Sequence, residues 1–212
     1  MVKIRKYQKR DKDDVRRICC DTGFVGKPID PIFQDRDLWA DALTSYYLDI
    51  EPESCFVLED RGRVVGYLFG CVDLWKLELY ISAIKMRMLG KVIFRYFFAG
   101  YNKRTKKMIR YLLFTRMGEE AKVVRNFAHL HINLEPKYRN QKNGTKLVQT
   151  YFDYLKKKDA KGCYIQTFGF KGSRSENFFR RLGFKEYDKV RIHIWDDYLE
   201  GPIYSVSMIK VL

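Results

Sequence analysis

His129 to Thr145 reads HLHINLEPKYRNQKNGT, a strand, a sharp turn and the opening of a helix. His129, His131 and Asn133 alternate with Leu130, Ile132 and Leu134, the period of a β-strand with one polar and one apolar face. Glu135-Pro136 ends the ladder because proline has no N–H to donate. From about Gly144, the apolar residues Leu147, Val148, Tyr151, Phe152 and Leu155 recur at helical intervals. Between strand and helix lies the polar turn Arg139-Asn140-Gln141-Lys142-Asn143-Gly144. A helix N-terminus offers unpaired N–H groups and a positive dipole end, so this arrangement suits a bound anion, phosphate above all.

Outward from that centre, the chain punctuates itself clearly. Val2–Tyr7 alternates as a first strand, and Asp11 is placed to cap a helix carrying Val15, Ile18 and Cys19 inward, closed by Asp21-Thr22-Gly23. A loop over 24–35 leads to a second helix near Asp37–Leu48. Cys55–Glu59 and Arg63–Val72 form a hairpin about Asp60-Arg61-Gly62, with Asp73 at its end. The C-terminal part supplies a strand over Cys163–Phe168, a helix near Ser173–Arg181 stopped by Gly183, a strand around Lys185–Val190 and a closing strand over Ile203–Val211.

The chain has 212 residues, 46% hydrophobic and 32% charged, which suits one globular domain. The N-terminus has no apolar signal core, and lysines and arginines break every apolar run before it could span a bilayer. Five scattered cysteines lack metal-ligand spacing and read as reduced, buried thiols, so the expected compartment is cytoplasmic and no metal is expected. A net charge of +15 favours anionic partners.

The 129–145 stretch resembles motif A of the GCN5-related N-acetyltransferase (GNAT) superfamily, Arg/Gln-x-x-Gly-x-Gly/Ala. Arg139 opens it, Gly144 fills its last glycine, and Lys142 stands where the first glycine is expected. Asn177–Phe184, NFFRRLGF, resembles motif B of the same superfamily. Asp21–Gly23, Tyr46-Tyr47, Pro52, and Val57–Tyr67 with Gly70 and Asp73 are similar to the branch that includes the acetyltransferase-like domain of O-GlcNAcase, as is His129–Leu134. The resemblance implies a single α/β domain over 1–212, with a central mixed, mostly antiparallel sheet flanked by helices. It also implies acetyl-CoA as cosubstrate and a primary amine, small-molecule or protein, as acceptor.

Carried over by position, the main chain of Ile132 and Leu134 would meet the pantetheine and acetyl group. The turn Asn140, Gln141, Lys142, Asn143, Gly144 and Thr145 would hold the pyrophosphate, with charge from Arg139 and Lys142, and Ser173 and Phe178 would flank the pantetheine arm. Tyr47 and Asp30 become candidate acceptor contacts. His131 is the first candidate for the base that deprotonates the amine, because histidine's ordinary pKa suits that task. His129 shares its face, and Asp73 and Glu135 are carboxylate alternatives. Phe179 stands where many relatives place a proton-donating tyrosine, which keeps a silent domain binding CoA or a partner as an alternative.

Residues 74–125 exceed what the family needs between its third and fourth strands. From Leu79 to Met117 there is no acidic residue and there are ten basic ones, interleaved with apolar side chains in two helical patterns parted at Gly100-Tyr101-Asn102. This helical insertion reads as a lid with a basic face, or as a contact through 79–117 with an anionic surface, membrane or RNA. Homodimerisation is left open by the sequence.

Overall fold

The structure is a computed structural model that describes residues 2–212, apart from the side chains of 84–88 and 117. Its strands are β1 (Lys3–Lys6), β2 (Phe56–Asp60), β3 (Arg63–Cys71), β4 (Ala128–Leu134), β5 (Gly162–Gly169), β6 (Lys185–Ile192) and β7 (Ile203–Val211). Its helices are α1 (Lys12–Asp21), α2 (Arg36–Asp49), α3 (Leu74–Phe98), α4 (Lys103–Phe114), α5 (Asn143–Lys156) and α6 (Arg174–Arg181). The strands form one sheet in the order β1-β2-β3-β4-β5-β7-β6, antiparallel throughout except between β4 and β5. This is the expected GNAT fold.

Alternation decides which helix covers which face. Leu130 and Leu134 of β4 join Leu58, Val65 and Leu68 beneath α5, whose Leu147, Val148, Tyr151 and Leu155 are buried. Burying each aliphatic side chain stabilises the fold by about 1.5–3 kcal/mol. On the opposite face Tyr67 and Phe69 of β3 pack beneath Val15, Ile18 and Cys19 of α1 and Tyr46 and Tyr47 of α2. The β2–β3 hairpin turns at Arg61 and Gly62, both at positive φ (51° and 82°), the geometry that matches strand twist.

Two helix starts differ from the sequence expectation. Asp11 does not cap α1 with its side chain, which instead accepts from the Gln8 N–H (2.8 Å) and forms an ion pair with Arg5 (2.6 Å). Asp73, expected at a strand end, is the N-cap of α3 and accepts from the Trp75 N–H at 3.0 Å. The insertion therefore begins its helix at Leu74.

The insertion is two helices, as the pattern predicts, joined over 99–102, with Asn102 capping α4 by accepting from the Thr105 N–H at 2.9 Å. α3 is pinned to α2 by Lys91–Asp41 (2.6 Å) and Arg95–Asp35 (2.5 Å). Met108 and Ile109 of α4 pack with Ile29, Ile32 and Phe33 of the α1–α2 loop and with Trp195. Side chains of Ile84, Lys85, Arg87 and Met88, part of the expected amphipathic pattern, lie outside the described residues.

Candidate active site

β4 and β5 pair only at Ala128–Cys163 and His129–Tyr164, then part company. On its other edge β4 stays paired with β3 as far as Leu134. The Glu135 N–H donates to Val65 O (3.0 Å), which sets the odd-numbered residues of β4 toward β3. The main-chain groups of Ile132 and Leu134 therefore point the other way, into the cleft that opens toward β5. Tyr151 braces β4 on its β3 side, donating its hydroxyl to the His129 carbonyl at 3.0 Å. Gly70 makes room for it, since a Cβ there would collide with the Tyr151 ring.

At the mouth of this cleft, α5 begins after Lys142. Asn140 and Lys142 both take left-handed backbone conformations, with φ of 61° and 60°. Lysine adopts that conformation at a cost of roughly 1–2 kcal/mol, where the glycine of the family motif would adopt it freely. The turn keeps its shape nonetheless, and the Lys142 side chain is exposed rather than folded into it. Side chains inside the turn brace it: the Gln141 amide donates to Lys137 O (2.9 Å), and the buried Asn143 donates to Tyr138 O (3.0 Å). The backbone N–H groups of Asn140 through Thr145 find no acceptor among the described residues. They are the orphan donors of a helix N-terminus, gathered by a turn of alternating backbone hand that forms an anion-binding concavity.

Arg139 anchors this concavity without a carboxylate partner among the described residues. Its Nε donates to Leu134 O (2.9 Å) and its Nη2 to Gly26 O (3.1 Å), tying the end of β4 to the α1–α2 loop. Burial and the nearby charge of Arg174 both lower its pKa, so the guanidinium is held where an anion would stabilise it. Arg139→Gln is expected to weaken acetyl-CoA binding about tenfold, the scale of one hydrogen bond to a charged group. The loss should shrink at high salt in calorimetric titration.

The motif B segment closes the other side. Ser173 is buried and structural: its hydroxyl donates to Phe168 O (2.8 Å) and accepts from Glu176 N–H, capping α6. Phe178 stands directly over the turn, its Cζ only 3.3 Å from where a Cβ on Gly144 would lie. Phe179 is buried in the core against Phe184, away from any role as an acid.

The polar face of β4 meets the aromatic face of β3 and α2. His129 Nδ1 is hydrogen bonded to the Tyr47 hydroxyl (3.0 Å), and its ring lies 4.9 Å from that of Tyr164. His131 lies beyond the parting point, near-parallel to the rings of Tyr67 and Phe69. Asn133 donates its amide to His131 Nε2 (3.1 Å) and to the Tyr67 hydroxyl (2.9 Å). An amide nitrogen can only donate, so Nε2 of His131 accepts and its proton sits on Nδ1. Burial lowers His131 to about 4, and burial together with His131 lowers His129 to about 3. Burial thus holds His131 well below the near-neutral value expected of a base, and one of its nitrogens is already engaged by Asn133.

The remaining candidates are placed elsewhere. Asp73 caps α3, so its carboxylate is committed to backbone N–H groups. Tyr47 is buried and engaged with His129, with burial pushing its phenol well above the ordinary value. Asp30 is clasped by Arg36 at 2.6 Å, which lowers its pKa. Glu135 pairs with Arg17 (2.7 Å) and Arg63 (3.3 Å). Sequence reading missed Asn133, Tyr67, Gly26 and Arg174 as parts of the site. Asn133 shares the histidines' side of the strand, and Tyr67 is its cross-strand partner in register.

A family model described as "Acetyltransferase (GNAT) family" matches residues 27–184. The chain belongs to that family. Among solved structures, SsHAT is similar over 99% of this chain and 98% of its own, at 26% identity and a TM-score of 0.73. The polyamine N-acetyltransferase of Drosophila melanogaster, an enzyme that forms N-acetylagmatine, shares the fold at 12% identity and a TM-score of 0.58, with 100% of both chains covered. The NatC complex bound to Gag peptide and CoA shares it at 12% identity and a TM-score of 0.56, covering 100% of this chain and 98% of that one. No curated protein matches the sequence. Family membership supports acetyl transfer, and acetyl-CoA is the family's acetyl donor.

Proposed function

We propose that the protein transfers an acetyl group from acetyl-CoA to a primary amine. The observation that carries this reading is the conjunction at one place of a parted β4–β5 pair and the orphan N–H groups of Asn140 to Thr145. The residues present fit the donor. The turn and Arg139 suit its pyrophosphate, Gly144 and Phe178 its path into the cleft, and Ile132 its amide-bearing arm and thioester carbonyl. A backbone N–H aimed at the carbonyl oxygen stabilises charge as it develops during attack. The amine lone pair attacks the thioester carbon, the C–S bond breaks, and the amine's surplus proton passes to solvent.

His131 acts here as a positioning residue, not a titrating base. Neutral and held by Asn133, it offers Nδ1–H and a flat ring beside Ile132. Its replacement by alanine is expected to lower kcat about tenfold and leave acetyl-CoA affinity unchanged. The rate in both proteins should rise with pH as the acceptor amine loses its own proton. An inflection near pH 6–7 present in the native protein and lost in His131→Ala would assign His131 the base role instead.

A second reading is favoured by Phe179, which has no proton to donate, and by the resemblance to the O-GlcNAcase-associated branch: a domain that binds CoA without turnover. Calorimetric titration with acetyl-CoA and CoA, followed by thiol-release assays on a panel of small amines and peptide N-termini, separates the two. Binding with amine-dependent thiol release supports transfer. Binding without it across the panel supports the silent domain, and no binding overturns both.

A further inference from the structure

We propose that α3 and α4 form a docking surface for an anionic lipid membrane. Phe94, Phe97 and Phe98 are 64%, 68% and 75% exposed, an unusual amount of aromatic surface to leave in water. They lie along one stripe of α3 with Ile93 and, about four and five turns back, Leu79 and Trp75, which are also exposed. The opposite side carries Val92 and Tyr96, packed against the cluster around Ile29 and Met108, with Arg95 beside them on its Asp35 pair and Lys91, bound to Asp41, at the border. The apolar stripe therefore faces away from the body of the protein.

Cations border that stripe. Tyr96 has its ring 5.2 Å from Phe97, accepts a hydrogen bond from Arg110 Nη1 (3.2 Å) and lies beneath Lys106 Nζ at 5.3 Å. The first turn of α4 adds exposed Lys103 a few residues beyond Phe98, whereas Arg104 is turned back onto Pro31 O (3.3 Å) and the Tyr198 ring. An apolar stripe edged with lysine and arginine is the arrangement that lies in the headgroup plane of an anionic bilayer. No helix among the described residues is long and apolar enough to cross a membrane, so the contact is peripheral.

Charge selects this occupant over a second copy of the chain. Pairing two such faces would set the 79–117 stretch, ten basic residues and no acidic one, against itself, and among the described residues only Lys91, Arg95, Lys107 and Arg116 of these have carboxylate partners. The rings argue against single-stranded RNA. Phe94 and Phe98 pack on each other at 5.0 Å and 34°, so they do not present separate flat faces for base stacking, and Trp75 at the far end of the stripe already has Arg125 over its ring at 5.4 Å.

The test is co-sedimentation of the full chain with vesicles of phosphatidylcholine alone and of phosphatidylcholine with phosphatidylserine at about 7:3. Binding is expected to the mixed vesicles only, falling steeply as salt rises. Replacing Phe94, Phe97 and Phe98 together by serine should weaken it at least about tenfold. Lys103→Gln and Arg110→Gln should each cost about fivefold. All five side chains are exposed, so the melting temperature should hold; if the serine variant does not fold, the two charge variants decide alone. Four results overturn the proposal. They are absence of vesicle binding, equal binding to neutral vesicles, a dimer in sedimentation that the phenylalanine variant dissolves, and RNA binding that competes with vesicles and ignores the phenylalanines.

Discussion

Gly144→Val is expected to abolish measurable acetyl-CoA binding, raising the dissociation constant at least about 100-fold, while the protein stays folded. The turn is a close fit: a Cβ on Gly144 would already sit 3.3 Å from Phe178 Cζ and 3.4 Å from its Cε2, with Leu134 Cδ1 at 3.8 Å. Alanine asks Phe178 to give by a few tenths of an ångström. Valine adds two branches, and with Phe178 and Leu134 on one side they must project toward the N–H groups of the turn. Each charge-assisted hydrogen bond lost there is worth about 1.5–3 kcal/mol, so two account for the expected factor. Gly144 itself lies in α5 with an ordinary helical φ, unlike Gly26 or Gly62. A side chain there improves helix propensity, so stability should not fall with affinity. Gly144→Ala should bind within about tenfold of the native protein. Calorimetric titration beside a melting curve checks both, and valine-variant binding within threefold of native, roughly 0.7 kcal/mol, would remove the turn as the cofactor site.

What the sequence made legible was whatever is local. The alternation of His129 to Leu134 and the periodicity of Leu147 to Leu155 need only near neighbours, and both elements lie where the pattern predicts. The same holds for the Arg61-Gly62 turn and for Asn102 parting the two inserted helices. Lys142 was harder. Nothing in its side chain announces a left-handed backbone, and the conformation follows from the strand and helix that the turn must join. Asp73 misled because a carboxylate after a strand and a carboxylate before a helix are the same residue, and the helix it caps starts earlier than the basic periodicity suggests. Glu135 looked free because its partners Arg17 and Arg63 come from distant segments, and Asp30 because the loop must fold back before Arg36, six residues on, can reach it. The histidines' basicity was the least legible property. It depends on Tyr47, Tyr67 and Phe69, brought to them by α2 and β3, and no spacing within 129–133 encodes that enclosure.

That enclosure sets the second large effect, a loss of stability in mild acid. In the unfolded chain each histidine titrates near 6.5, whereas in the fold burial lowers His131 to about 4 and His129 to about 3. Depressed folded values mean that the stabilisation is complete above the unfolded pKa and is lost as pH falls toward the folded ones. Between pH 6.5 and about 4 the unfolded chain binds up to two more protons than the fold, a slope approaching 2.7 kcal/mol per pH unit. Both rings are only half-buried, and solvent reaching them reduces this, so a loss of about 2–4 kcal/mol from pH 7 to pH 5 is expected. The ion-paired carboxylates cannot mimic it. Glu59, held at about 2 by Lys3 and Arg5, contributes stability that is lost only below its unfolded value near 4.3. Denaturant unfolding at pH 7, 6 and 5 should show the fall in the native protein. Replacing His129 and His131 together by glutamine should flatten it while leaving His193 and its Glu119 partner in place. An unchanged slope in that variant would mean the two rings are solvated well enough to titrate normally. His131 would then be available after all as the base that takes the proton from the acceptor amine.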